Sequence, residues 1–212
     1  MSGQVSSPIW LYRITHYRNI EHILTNGLFT ANSKNADPNY INIGDSSLIQ
    51  ARNIFKVPIE PYGTLADYIP FYLGPHSPML LRIISGYGGV IKIPQADIIY
   101  LISSLDAIEE VGNKYIFYDG HAKNNMSAAY NQKADLDKID WDAVKLKHWK
   151  NTEEDFDRQR RKQAELLIYQ HVPVNCLKNI IVYDDAKYKF VQEVLNKLGI
   201  IVPVKIHKPF YY

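Results

Sequence analysis

The chain has 212 residues, 46% of them hydrophobic and 22% charged, which is enough length and apolar content to bury a core without covalent staples. Its 24 Lys and Arg stand against 22 Asp and Glu, and a net charge of +2 excludes a purely electrostatic nucleic-acid binder, so any nucleic-acid contact must be local. The single cysteine, Cys176, excludes a disulfide framework and a cysteine metal site, and it fits a reducing compartment.

Ile9 to Thr15 reads as a first strand, and Tyr17 to Thr25 as a short amphipathic helix stopped by Asn26-Gly27. Residues 30 to 47, rich in Asn, Asp and Ser, read as a long binding or mobile loop. Ser46 to Phe55 has helical character, with Asp45 or Ser46 as its cap. Ile69 to Leu73 and Pro78 to Ile83 are short apolar runs flanking a Gly74-Pro75-His76-Ser77 turn. Ala96 to Ser103 reads as a strand, Asp106 to Val111 as a helix and Tyr115 to Tyr118 as another strand. Residues 122 to 160 are polar and read as partly helical. Leu166 to Tyr169, Asn179 to Tyr183 and Ile200 to His207 complete the strands. Between the last two lies a helix, Ala186 to Leu198, capped by Asp184 or Asp185 and ended by Gly199.

The fold class expected is α+β, in one domain over residues 1–212, with peripheral helices and long insertions. The first eight residues lack the regions of a signal peptide, and the most apolar stretches are too short to span a bilayer. The expectation is therefore a cytoplasmic protein with no membrane partner.

No GxGxxG, GxxxxGK[ST] or HExxH motif is present, and the Gly86-Tyr87-Gly88-Gly89 patch is a turn rather than a phosphate loop. Seven scattered histidines, none at ligand spacing to another, argue against a metal. Sixteen tyrosines suit base stacking or a wet cleft, and equally ordinary β-structure.

Four features can carry chemistry. Glu165 stands where a basic run becomes an apolar strand, at Arg161-Lys162-Gln163-Ala164-Glu165-Leu166-Leu167. A carboxylate there can sit at the mouth of a cleft and stabilise a sugar cation, or simply point to water. Arg13, near the end of the first strand, can pair with a pyrophosphate or form a surface ion pair. Arg52 follows the long polar loop and is either a functional guanidinium or an exposed helix residue. The fourth is the turn Tyr118-Asp119-Gly120-His121.

These features occur in the order found in one family. The chain resembles the DNA ADP-ribosyltransferase toxins of the DarT type, which are paired with a macrodomain antitoxin, DarG. The resemblance covers nearly the whole length. It rests on Tyr12-Arg13-Ile14-Thr15-His16 with Asn19-Ile20, then Ile41-Asn42-Ile43-Gly44 with Leu48-Ile49 and Arg52. It continues through Asp67-Tyr68-Ile69-Pro70-Phe71-Tyr72, Ser77-Pro78-Met79-Leu80 and Phe117-Tyr118-Asp119 with His121-Ala122. It closes with Gln163-Ala164-Glu165-Leu166-Leu167-Ile168 and Phe210-Tyr211-Tyr212. Some family members carry His at the position of Arg13.

The resemblance implies the ADP-ribosyltransferase split β-sandwich, NAD as co-substrate, and transfer of ADP-ribose onto a base, thymine, in single-stranded DNA. It makes Glu165 the catalytic carboxylate and Arg52 the second essential residue, holding the pyrophosphate or polarising the base. Arg13, Thr15, His16, Asn19 and Arg52 would line the NAD site. Tyr72, Met79 and His121 would border the base, and the run Arg158, Arg160, Arg161 and Lys162 either contacts phosphates or forms a solvated basic face. Two other readings compete: an NAD-dependent RNA-directed enzyme of the same superfamily, such as a tRNA 2′-phosphotransferase or a guanine-modifying relative, and a non-catalytic single-strand-binding module.

Overall fold

The computed structural model describes residues 4–212. In chain order its elements are β1 (Trp10–His16), α1 (Ile20–Asn26), β2 (Leu28–Phe29), α2 (Ser46–Arg52), β3 (Tyr68–Tyr72), α3 (Pro78–Ser85), β4 (Ile98–Ser104) and α4 (Leu105–Glu110). They continue with β5 (Tyr115–Tyr118), β6 (Ala129–Tyr130), α5 (Arg158–Arg161), β7 (Glu165–Tyr169), β8 (His171–Val172), β9 (Asn179–Val182), α6 (Asp185–Leu198) and β10 (Val204–Ile206). The class is α+β, as the sequence indicates.

Eight strands form one mixed sheet in the order β10-β9-β4-β1-β3-β7-β5-β6. β1 pairs with β4 along its whole length, Trp10 opposite Ser104 through His16 opposite Ile98. Against β3 it has one pair alone, Tyr12 opposite Tyr72. The sheet therefore splits between β1 and β3. Pro70, in the middle of β3, has no N–H to offer β1, and Arg13 Nη1 donates instead to the Pro70 carbonyl at 2.9 Å.

Alternation of side chains along each strand builds the two faces. One face carries Leu11, Phe71, Leu101, Phe117, Leu166, Ile168 and Ile180, buried under α1, α4 and α6. The other face is divided. Ile14, Tyr100, Ile102 and Ile181 pack beneath α3 and Tyr211. Tyr68, Ile116, Tyr118 and Leu167 pack with Val57, Leu65 and Ala122. The ladder registers run a single row across this divided face: Asn179, Ile102, Tyr12, Tyr72, Glu165 and Tyr118. The carboxylate thus lies at the seam between two apolar clusters.

Helix ends follow their caps. Asp184 accepts from the Lys187 N–H at 2.9 Å, and Gly199 closes α6 in the left-handed region at φ 65°. Asp45 caps α2 through the N–H groups of Ser47 and Leu48. The apolar run at Pro78 is a helix, with Ser77 accepting from the Leu80 N–H at 3.2 Å and Pro78 in the first turn. Residues 122 to 160, expected to be partly helical, contain short 3-10 turns at Lys133–Lys138 and Ala143–Lys145 besides α5. The strand expected from Ile200 to His207 is confined to Val204–Ile206, because Pro203 precedes it. Cys176 is buried in the core. No helix among the described residues is long and apolar enough to cross a membrane.

Lys162 departs from its expected place on a basic face. It is 2% exposed, and its Nζ donates to the carbonyls of Pro75 at 3.0 Å and Val144 at 2.6 Å. Gly74 makes that convergence possible, because a Cβ there would lie 2.2 Å from the Val144 carbonyl oxygen. Burial pulls the Lys162 ammonium down to about 7. An unfolded lysine keeps its proton to about 10.4. Between those values the unfolded chain binds the additional proton, so stability rises with pH. The melting temperature of the wild type is therefore expected to climb relative to that of Lys162→Met between pH 7 and 9.5. Parallel pH profiles for the two proteins would contradict this assignment.

Candidate active site

Glu165 is the first residue of β7, opposite Tyr72 on one side and Tyr118 on the other. Its side chain is 7% exposed as a residue and has two partners. Oε1 accepts from the Ala122 backbone N–H at 3.1 Å. Oε2 lies 3.5 Å from Arg52 Nη1, an ion contact at the outer limit of a hydrogen bond. A buried carboxylate needs such partners.

Arg52 comes from the last turn of α2, a helix with no fully buried residue. Its position is set by its ends. At the start, the capping Asp45 is also held by Arg82 of α3 at 3.1 Å. At the finish, Arg52 Nη2 donates to the Leu65 carbonyl at 3.2 Å while Nη1 faces Glu165. The guanidinium fork is thus oriented by one neutral and one anionic oxygen.

The turn after β5 supplies the remaining wall. Asp119 and Ser127 are drawn together by Arg160 Nη1, at 3.2 and 3.3 Å. Gly120 is required there, since a Cβ would lie 2.6 Å from that guanidinium. This packing presents the Ala122 N–H to Glu165. His121 is half-buried, its pKa lowered mainly by burial, and its Nδ1 accepts from the Lys123 N–H at 3.2 Å. A neutral ring accepting at Nδ1 carries its proton on Nε2.

Tyr118 was not singled out by itself in the sequence. It is 2% exposed and its hydroxyl has no hydrogen-bond partner. Burial, then the nearby Glu165, pushes its pKa up to about 12. A buried hydroxyl of this kind costs free energy unless something satisfies it, which makes it an available donor beside the carboxylate. Tyr72, half-buried, also has its pKa raised by burial and by Glu165. The signal that could have found Tyr118 is its even spacing from Ile116 on a strand directly before the turn.

The first-strand residues serve the long loop. Thr15 and Asn19 are buried. Asn19 Nδ2 donates to Thr15 Oγ1 and to the Ile41 carbonyl, both at 2.9 Å, and Asn19 Oδ1 accepts from the Ile41 N–H at 2.9 Å. Tyr40 closes the set, its hydroxyl 3.0 Å from Thr15 Oγ1. His16 accepts from the Arg18 N–H at 3.3 Å, and burial lowers its pKa. Arg13 has a buried Nε without a partner beside its bond to Pro70.

The structure does not gather every expected residue at Glu165. Met79 lies in the first turn of α3, half-buried against the neighbouring cluster. Arg158 pairs with Asp155 at 3.1 Å. Arg161 pairs with Asp140 and Asp155. Arg160 anchors the Asp119 turn and Asp157. Any phosphate meeting this basic run competes with carboxylates already in place. Among the described residues no group of His, Cys, Asp or Glu is placed to hold a metal.

Comparison with known proteins identifies the family. The family described as "ssDNA thymidine ADP-ribosyltransferase, DarT" matches residues 12–212. A DNA ADP-ribosyl transferase of Escherichia coli O127:H6 is 36% identical over 202 residues, covering 95% of this chain and 93% of that protein. A solved structure of Thermus sp. 2.9 DarT in complex with ADP-ribosylated ssDNA superposes with a TM-score of 0.92 at 31% identity, over the whole of both chains. The same Thermus protein in complex with NAD+ gives a TM-score of 0.84, over 99% of this chain and all of that one. The chain belongs to the DarT family of single-stranded DNA thymidine ADP-ribosyltransferases.

Proposed function

We propose that this chain acts as a single domain that transfers ADP-ribose from NAD onto thymine in single-stranded DNA, with Glu165 and Arg52 as the catalytic pair. The observation that carries the residue assignment is their 3.5 Å contact at the seam of the sheet. The Thermus relative's complexes with NAD+ and with ADP-ribosylated ssDNA support the same substrates here.

NAD supplies an ADP-ribosyl group whose nicotinamide departs as a neutral ring, so no acid has to protonate the leaving group. A glycosidase needs a second carboxylate for that task. Here Glu165 accepts a hydrogen bond from the ribose 2′-hydroxyl and places negative charge beside the anomeric carbon as the bond to nicotinamide breaks. The same carboxylate takes the proton from thymine N3 as that nitrogen forms the new bond. Ala122 N–H and Arg52 hold the carboxylate in one orientation through both steps. Arg52 lies beside Glu165, and this supports a place against the thymine carbonyls rather than the pyrophosphate.

Thr15, Asn19 and Tyr40 hold the 30–45 loop over the cofactor, with Arg13 and His16 on the same strand. Tyr72, Met79 and His121 border the base, and Arg158 and Arg161 meet phosphates at the periphery. A base stacked in a duplex cannot reach this site, which accounts for a single-stranded substrate. By family membership the chain is the toxin of a pair, neutralised by a DarG-like macrodomain antitoxin, and it works in the cytoplasm.

Glu165→Gln keeps the shape of the side chain and removes its charge. Labelled-NAD transfer to an oligonucleotide is expected to fall by about 10²–10³-fold or more, with NAD binding by calorimetry largely kept. Unchanged transfer in this variant would remove Glu165 from the mechanism. Tyr118→Phe removes an unpartnered hydroxyl while preserving its packing. Its melting temperature is expected to hold or rise, while transfer drops by about tenfold, the worth of one hydrogen bond of roughly 1–1.5 kcal/mol to substrate. Full activity in Tyr118→Phe would show that the hydroxyl meets no substrate.

A further inference from the structure

A hollow lies on the same face as Glu165, on the other side of Tyr72. It is an open groove of about 270 Å³ between β1, β4, β9, β10 and the C-terminal segment. Trp10, Tyr12 and Phe210 give it aromatic walls, and Asn179, Lys205 and His207 give it polar ones. No Asp or Glu lines it. Resting on the reading above, we infer that this groove binds the nucleotides flanking the target thymine, so that a single strand of DNA continues from the active site along the sheet.

Two observations carry this. The first is continuity. Asn179, Ile102, Tyr12, Tyr72 and Glu165 are successive cross-strand partners, so their side chains emerge on one face. With strands about 4.8 Å apart, Tyr12 stands roughly 10 Å from Glu165 and Asn179 roughly 19 Å from it. That row is a few nucleotides long and ends at the carboxylate, with half-buried Tyr72 standing between Glu165 and the groove. The second is chemistry. Trp10 is 37% exposed, unusual for so large an apolar side chain, and Tyr12 meets Phe210 edge-on at 5.6 Å. His207 meets Phe210 at 4.6 Å, nearly perpendicular. An exposed tryptophan backed by half-buried Tyr12 and Phe210, beside an exposed lysine, offers the stacking and charge that binding of single strands uses.

The test uses the full chain, NAD and two single-stranded oligonucleotides: a minimal one around a single thymidine, and one extended on both sides. The variants are Trp10→Ala with Lys205→Glu, and Lys205→Glu alone on an exposed side chain whose loss leaves the core intact. The wild type is expected to show higher kcat/KM on the extended oligonucleotide. The double variant is expected to lose about tenfold of kcat/KM on it, the equivalent of one stacked base, with the minimal oligonucleotide modified as before. Lys205→Glu alone is expected to lose part of the advantage and to steepen its decline less with salt. An equal ratio of extended to minimal kcat/KM in wild type and both variants would overturn the groove's role while leaving the proposed activity intact. Absence of transfer to either oligonucleotide by the wild type would instead overturn the activity, and the groove's assignment with it.

Discussion

A carboxylate almost removed from water has to be held by the chain around it, and the holding of Glu165 organises much of this molecule. One oxygen is fixed by the Ala122 N–H and the other faces Arg52. Each partner arrives from a segment with its own anchor. Ala122 follows a turn clamped by Arg160 through Asp119 and Ser127. Arg52 ends a helix whose cap, Asp45, is tied to Arg82. Loosening any of these anchors leaves a buried carboxylate short of partners, which costs more than an exposed ion pair contributes.

The sheet places that carboxylate where substrates can reach it. A fully paired eight-stranded sheet would cover its faces with apolar clusters throughout. The single β1–β3 pair prevents this. Pro70 withholds a ladder donor, and Arg13 takes its carbonyl from the side. The divided face that results has an apolar cluster on each flank and Tyr12, Tyr72 and Glu165 between them. The same row continues through Tyr12 and Ile102 to Asn179, residues that line the aromatic groove.

Much of this was legible from residues alone. α6 announced itself through helical spacing, Asp184 and Gly199, because caps and periodicity are local properties. β1 and β4 were visible as apolar strands within a residue or two. Glu165 stood out at a change from basic to apolar sequence, and the structure keeps it at that boundary. Arg52 was found through its resemblance context, since nothing local separates it from an exposed helix residue; its meeting with Glu165 spans 113 positions. The α3 helix was hidden because eight residues at Pro78–Ser85 read equally as a strand until Ser77 and Pro78 are recognised as cap and first turn. The basic run before β7 misled for a different reason. Charge counts do not reveal that Lys162 turns inward to two carbonyls or that Arg161 faces two aspartates. The Ala122 N–H has no side-chain signature at all, and the Tyr118 hydroxyl gains meaning only once Glu165 is its cross-strand neighbour.

The identity of the modified nucleoside tests the account most directly. Wild-type protein, NAD and a single-stranded oligonucleotide containing all four bases would be incubated, digested to nucleosides and analysed by mass spectrometry. The account predicts one product, thymidine carrying ADP-ribose at N3, formed in step with nicotinamide release. Nicotinamide release with no DNA adduct, or an adduct on a different base, would contradict it.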